Sequence, residues 1–167
     1  VPNRDQNMSI ESIDDHNNSR NQTITFQLQS KSFFSESVSI SDVELASTIR
    51  KMQSGKKTIF TKSSYDVIPN PSGIYSNKLP RVYYYFEVYN MLQGIPGDNY
   101  SINTTILDLN GLQVLSKQKT KKRLNESSVE VGQIDVGSLP SGVYIFDAQI
   151  LDPNGEALSN TRKPFTY

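Results

Sequence analysis

The thirteen residues Leu139–Leu151 restrict the possible folds more than any other stretch of this chain. They read Leu-Pro-Ser-Gly-Val-Tyr-Ile-Phe-Asp-Ala-Gln-Ile-Leu. A Pro-Ser-Gly turn passes directly into alternation. Val143, Ile145, Asp147, Gln149 and Leu151 fall on one face, and Tyr144, Phe146, Ala148 and Ile150 on the other. Turn chemistry followed by a period of two is the signature of a strand, and the second set is the cleaner core face.

The same grammar recurs upstream. Val82–Tyr89 reads Val-Tyr-Tyr-Tyr-Phe-Glu-Val-Tyr, with Val82, Tyr84, Phe86 and Val88 on one face and Tyr83, Tyr85, Glu87 and Tyr89 on the other. Two apolar faces predict a central strand covered on both sides. Tyr100–Leu107, Leu112–Leu115 and Ala157–Tyr167 continue the series. Ser128–Val136 offers Val129, Val131, Ile134 and Val136, which share a face only if Gly132 forms a bulge. Asp108-Leu109-Asn110-Gly111 and Asp152-Pro153-Asn154-Gly155 are hairpin turns. About seven strands with turns every eight to twelve residues predict an all-β, immunoglobulin-like β-sandwich over residues 60–167.

Residues 1–59 are predicted to be a separate N-terminal segment. Met8–Ile13 and Thr23–Leu28 alternate around the polar cluster Asp15–Ser19 and form a short hairpin, with Ile24, Phe26 and Leu28 opposite Thr23, Thr25 and Gln27. A lone hairpin is marginal in water and needs something to pack against. Val38–Ile49 suggests an extended start followed by a turn or helical piece capped by Ser41-Asp42. Lys51–Lys57 is a polar, basic linker, and Ile59-Phe60 a short strand.

Composition narrows the partners. Lys+Arg and Asp+Glu number 17 each, which removes the electrostatic case for nucleic acid. No apolar run approaches the length of a membrane helix. The chain has no cysteine, hence no disulfide and no thiolate metal site. Its Ser, Asn, Thr and Tyr richness leans towards an exported bacterial protein, and Val1-Pro2 reads as a processed end. Asn-x-Ser/Thr triplets at Asn17, Asn21, Asn99, Asn103 and Asn125 arise by chance in such a composition.

No catalytic set, cofactor site or metal site is predicted. His16, the only histidine, sits beside Asp14 and Asp15 and reads as a surface residue. The acidic turns lack the ligand series of a calcium loop. Two candidate interaction surfaces remain. Tyr83, Tyr85 and Tyr89 either form an exposed platform for a glycan or peptide, or pack against residues 1–66 through Phe26, Phe33 or Phe34. Lys117, Lys119 and Lys121, with Lys122 and Arg123, either bind an anionic polymer or guard an edge strand against aggregation.

Three segments carry a family resemblance: Ser39–Ser47, Tyr83–Asn90, and Leu139–Tyr144 followed by Asp147–Asp152. Their order and spacing resemble the region upstream of the GWxTD domain in GWxTD-domain-containing proteins, exported proteins of Bacteroidetes and related bacteria. The resemblance spans roughly residues 8–167. The chain has no Trp, so the defining GWxTD segment is absent. In that family, residues 8–28 would be the last two strands of a preceding β-domain. A second set, Pro69–Ser72, Asp108–Gly111 with Val114-Leu115, and Leu139–Ile145, is similar to the C-terminal sorting domain of type IX secretion cargo. Against it, Leu79–Pro96 is a long insertion, and the chain runs on past Tyr144 through a further hairpin. Both resemblances imply a place in the periplasm, at the outer membrane or outside the cell, with other envelope or secreted proteins as partners. Three roles follow: a non-catalytic contact module or spacer, a sorting domain, or a carbohydrate-binding module using the tyrosine strand.

Overall fold

A computed structural model describes residues 5–13, 15–17, 20–29, 33, 35–52 and 57–167. The chain forms two compact units, Val1–Ser35 and Glu36–Tyr167.

The first unit holds an antiparallel pair, β1 (Asp5–Ser12) and β2 (Gln22–Gln29). Met8 lies opposite Phe26 and Ile10 opposite Ile24. Cross-strand partners share a face, so these four side chains form one apolar ladder. Asn7, Ser9 and Glu11 face the other way with Thr23, Thr25 and Gln27, and the Ser9 and Thr25 hydroxyls are 3.1 Å apart. The alternation read from sequence is therefore the register of the hairpin.

The second unit is a two-sheet sandwich. Its strands are β3 (Ser39–Ile40), β4 (Glu44–Lys51), β5 (Thr61–Lys62), β6 (Tyr65–Pro69), β7 (Arg81–Tyr89), β8 (Asn99–Leu107), β9 (Gln113–Lys122), β10 (Ser128–Asp135), β11 (Val143–Leu151) and β12 (Ala157–Thr166). One sheet runs β10-β7-β4-β6-β5, with β3 also on β7, and the other runs β12-β11-β8-β9. This is the order of an immunoglobulin-like sandwich.

The core lies between the sheets. Val82, Tyr84, Phe86 and Val88 of β7 meet Tyr144, Phe146, Ala148 and Ile150 of β11, all buried. The rings of Tyr84 and Phe146 pack 5.0 Å apart across the interface. The expected core faces of both strands are thus the observed ones. Both acidic turns are tied by their own carboxylates. Asp108 accepts from the Asn110 and Leu112 amides, and Asp152 from those of Asn154 and Glu156. Gly111 and Gly155 supply the positive φ, 81° and 89°.

Several expectations are corrected. The sandwich begins at Glu36, not at residue 60, because β4 is an interior strand between β7 and β6. No helix follows Ser41-Asp42. Residues 41–43 are an irregular link between β3 and β4, and that break hides the period of two. Gly132 is not a bulge: β10 pairs with β7 in continuous register, with Gly132 opposite Tyr84. A Cβ there would stand 2.2 Å from the Tyr84 hydroxyl oxygen, so the glycine makes room for that side chain. Ile59-Phe60 is a turn, and the short strand is Thr61–Lys62. Residues 53–56 of the expected linker lie outside the described residues. A one-turn helix, α1 (Met91–Gly94), was not foreseen.

Candidate functional site

The lysine run occupies β9, an edge strand, as the edge-guarding reading expects. Its lysines are not all turned to solvent, however. Lys121 is registered with Tyr100 and Lys119 with Ile102, both core residues, so these lysines share the inner face. On the other sheet, Glu130 of β10 is registered with Phe86, which also faces the core. Glu130 is 0% exposed.

The two edges meet there. The Lys121 ammonium donates to both Glu130 oxygens, at 2.8 and 2.9 Å, and Lys119 lies 3.0 Å from Oε2. The Ser128 and Tyr100 hydroxyls donate to Oε1 at 2.8 and 3.1 Å. Burial alone would raise the Glu130 carboxyl, but the two ammoniums outweigh it and hold the group below the usual carboxylate range. Burial, with the Glu130 charge beside it, pushes the Tyr100 phenol up to about 12. This is an ionic clasp joining the sheets along their open side. Small clefts flank it, one of about 370 Å³ beside Lys117, Arg81 and Asp135, the other of about 290 Å³ beside Lys121, Asn125 and Ser128. Lys117 is exposed. An anionic polymer would find Lys119 and Lys121 already engaged. Arg123 is also engaged, donating to the Leu92 carbonyl at 2.6 Å and so closing the end of α1.

The tyrosine face is likewise occupied. Tyr85 is 4% exposed and packs with Ala46 and Val67, flanked by Tyr83, Ile49, Tyr65, Val129 and Val131. Lys62 stands 5.7 Å from the Tyr85 ring centre and pairs with Glu44. The Tyr85 and Tyr89 hydroxyls both donate to the Glu87 carboxylate. Burial and the Glu87 acceptor push both phenols up to about 12. Tyr83 and Tyr89 are half-buried. The cover thus comes from within residues 1–66, but through Glu44, Ala46, Ile49, Lys62 and Tyr65. Phe26 and Phe33 belong to the other unit, and Phe34 lies outside the described residues. With Tyr85 buried there is no three-ring platform for a glycan.

Tyr144 has a role that the sequence reading placed only in the core. Its hydroxyl donates to the Pro140 carbonyl at 2.8 Å, four residues upstream. This is the tyrosine corner of immunoglobulin-like sandwiches, and Leu139-Pro140-Ser141-Gly142-Val143-Tyr144 was its readable signal. The outer sheet edge at β12 is also guarded. The Thr166 amide points outward to Gly73, so position 164 points outward too, and Pro164 has no N–H to offer there.

Among the described residues, no group of three His, Cys, Asp or Glu side chains is placed to hold a metal ion. His16 is exposed, and Asp14 lies outside the described residues. No helix among the described residues is long and apolar enough to cross a membrane. Among the described residues, exposed large apolar side chains include those of the hairpin ladder and, on the sandwich, Ile59, Leu109, Leu112 and Leu124. Met8, Ile10, Ile24 and Phe26 are 44, 57, 63 and 37% exposed. Within the sandwich, the inward positions of β7 and β11 are spent on the core, and Lys119 and Lys121 of β9 on the clasp.

No family model matches the chain, and no curated protein matches it. Among solved structures, the chain is similar to part of a beta-glucuronidase from Parabacteroides merdae, at 14% identity and a TM-score of 0.36. The match covers 86% of this chain and 15% of that protein. The fold assignment therefore rests on the strand order and core described above.

Proposed function

We propose that this chain is a non-catalytic β-sandwich module of an exported bacterial envelope protein that works through protein–protein contact. The observation that carries the contact role is the hairpin ladder. Four large apolar side chains on one face of a two-stranded ribbon stand open to water. Two strands alone are marginal, and a contiguous apolar patch on a small unit marks an interaction surface. The sandwich supports the same reading from the other side. Its Glu130 and Glu87 carboxylates are held by hydrogen bonds from within the sandwich, and Lys-rich β9 and Pro164-bearing β12 discourage pairing at the edges of one sheet. The envelope placement rests on the resemblance to the region upstream of GWxTD domains and to type IX sorting domains.

The test has two parts. Fractionation of cells making the native protein should recover it with the envelope. The purified chain, used as bait in envelope extract, should enrich a small set of proteins that an Ile10→Thr/Ile24→Thr bait does not retain. Recovery with the cytoplasm would overturn the placement. Equal capture by both baits would overturn the hairpin as the contact surface, and no capture would leave a spacer.

A further inference from the structure

We propose that the free edge of β10 takes up one more strand, an extended acidic segment of a partner protein. The Val136 amide donates to the Pro80 carbonyl, and β10 pairs with β7 in continuous register. Alternate residues of an antiparallel ladder bond the same neighbour, so Glu130, Gly132 and Ile134 turn their amides and carbonyls to β7. Those of Val129, Val131 and Gln133 turn the other way, where β10 is the last strand of its sheet. Among the described residues no backbone bond reaches them there. A row of donors and acceptors at strand spacing is matched by an extended backbone. The other edges of the sandwich are protected: β9 carries lysines, β12 carries Pro164, and β5 is two residues long. β10 runs for eight residues with neither lysine nor proline. Its inward carboxylate, Glu130, is neutralised by the clasp.

Charge names the chemistry of the occupant. Lys117, Lys119 and Lys121 are registered with Thr104, Ile102 and Tyr100, all buried, so the three lysines form one inward row along β9. Glu130 answers Lys119 and Lys121. Among the described residues no ion pair holds Lys117, which lines the cleft of about 370 Å³ with Gln133, Ile134 and Asp135. Asp135 is itself turned to Arg81, at 3.9 Å. The row therefore carries more positive charge than the sandwich answers. Cross-strand partners share a face, so a residue of the added strand opposite Gly132 points inward, on the side of Lys117. An Asp or Glu there completes the row. A second copy of this chain suits the edge poorly, because two-fold pairing through β10 brings each lysine row beside its own image.

Selection of random peptides on the immobilised full chain tests this. We expect enriched sequences with Asp or Glu at alternate positions. At saturation an enriched peptide should slow hydrogen exchange at the Val129, Val131 and Gln133 amides by more than about fivefold, and leave Glu130 and Ile134, already bonded to β7, unchanged. Val131→Pro removes an edge donor without touching a β7 bond, and Lys117→Glu reverses the charge at an exposed site. Each should weaken binding by more than about tenfold. No enrichment, enriched peptides without acids, or acidic peptides that bind both variants as tightly as the wild type would overturn the added strand. The hairpin is intact in both variants, so that failure would leave the hairpin reading standing.

Discussion

The Lys121 ammonium and the Glu130 carboxylate form a two-pronged pair, 2.8 and 2.9 Å, that ties the edge of one sheet to the edge of the other. The acid is fully buried, and the base is 38% exposed at its side chain. That asymmetry sets the cost of breaking it. Removing one partner of a buried pair typically costs about 3–5 kcal/mol, because a charge is left stranded. In Glu130→Gln the stranded ammoniums can turn to water, so we expect about 2–4 kcal/mol, read as a lower denaturant midpoint. Replacing all three groups with apolar side chains, as in Lys119→Met/Lys121→Leu/Glu130→Met, should cost much less than that.

The same pair sets a pH dependence. Glu130 is held below its unfolded pKa, so the folded state keeps it ionised where the unfolded chain takes up a proton. Its stabilising contribution is full above the unfolded value of about 4.3 and is lost as pH falls through the lower folded value. Unfolding free energy measured from pH 7 downward should fall in that acid window. In Glu130→Gln the fall should be shallower.

Tyr144→Phe removes one oxygen from the corner that closes onto Pro140. Tyr144 is 7% exposed, whereas Pro140 is exposed, so the freed carbonyl keeps access to water and the cost is that of one half-buried hydrogen bond. We expect about 1–2 kcal/mol of destabilisation with no change in strand content by circular dichroism.

Gly132 and Tyr84 should be coupled. A methyl at residue 132 would sit 2.4 Å from the Tyr84 Cζ, well inside contact distance. Gly132→Ala should cost about 1–3 kcal/mol. In a Tyr84→Leu background the same substitution should cost less, and a double-mutant cycle measures the difference.

Much of the fold could be read from side-chain alternation. In β7 and β11 the even-numbered residues fill the core, as their sequence indicates, and in the hairpin Ile24 and Phe26 mark the apolar face. β10 was harder to read. Val129 and Val131 look like core residues, yet they face outward against Tyr85, while Glu130 points in. A strand with one face on a second small cluster and the other on a buried carboxylate presents no clean period, and a bulge at Gly132 was the natural but mistaken repair. The partners that make burial of Glu130 tolerable lie nine and eleven residues away on another sheet, so only the tertiary fold reveals them. The β4 strand was missed for a local reason: Ser41–Val43 interrupts the register between Ile40 and Leu45. Of the two readings of the tyrosine face, packing against residues 1–66 is the one observed; the Glu87 acceptor stands in the strand's own sequence, but the cover from Ala46, Ile49, Lys62 and Tyr65 comes from other strands and leaves no mark there.

The central claim is that one face of the hairpin is the chain's contact surface. The most direct measurement places a photo-cross-linking residue at position 24 in one variant and at position 25 in another, in cells making the full protein. The two sites are adjacent in sequence and opposite in face. We expect position 24 to give a discrete cross-linked protein species and position 25 to give none. Cross-links of equal yield from both sites, or from neither, would contradict the account.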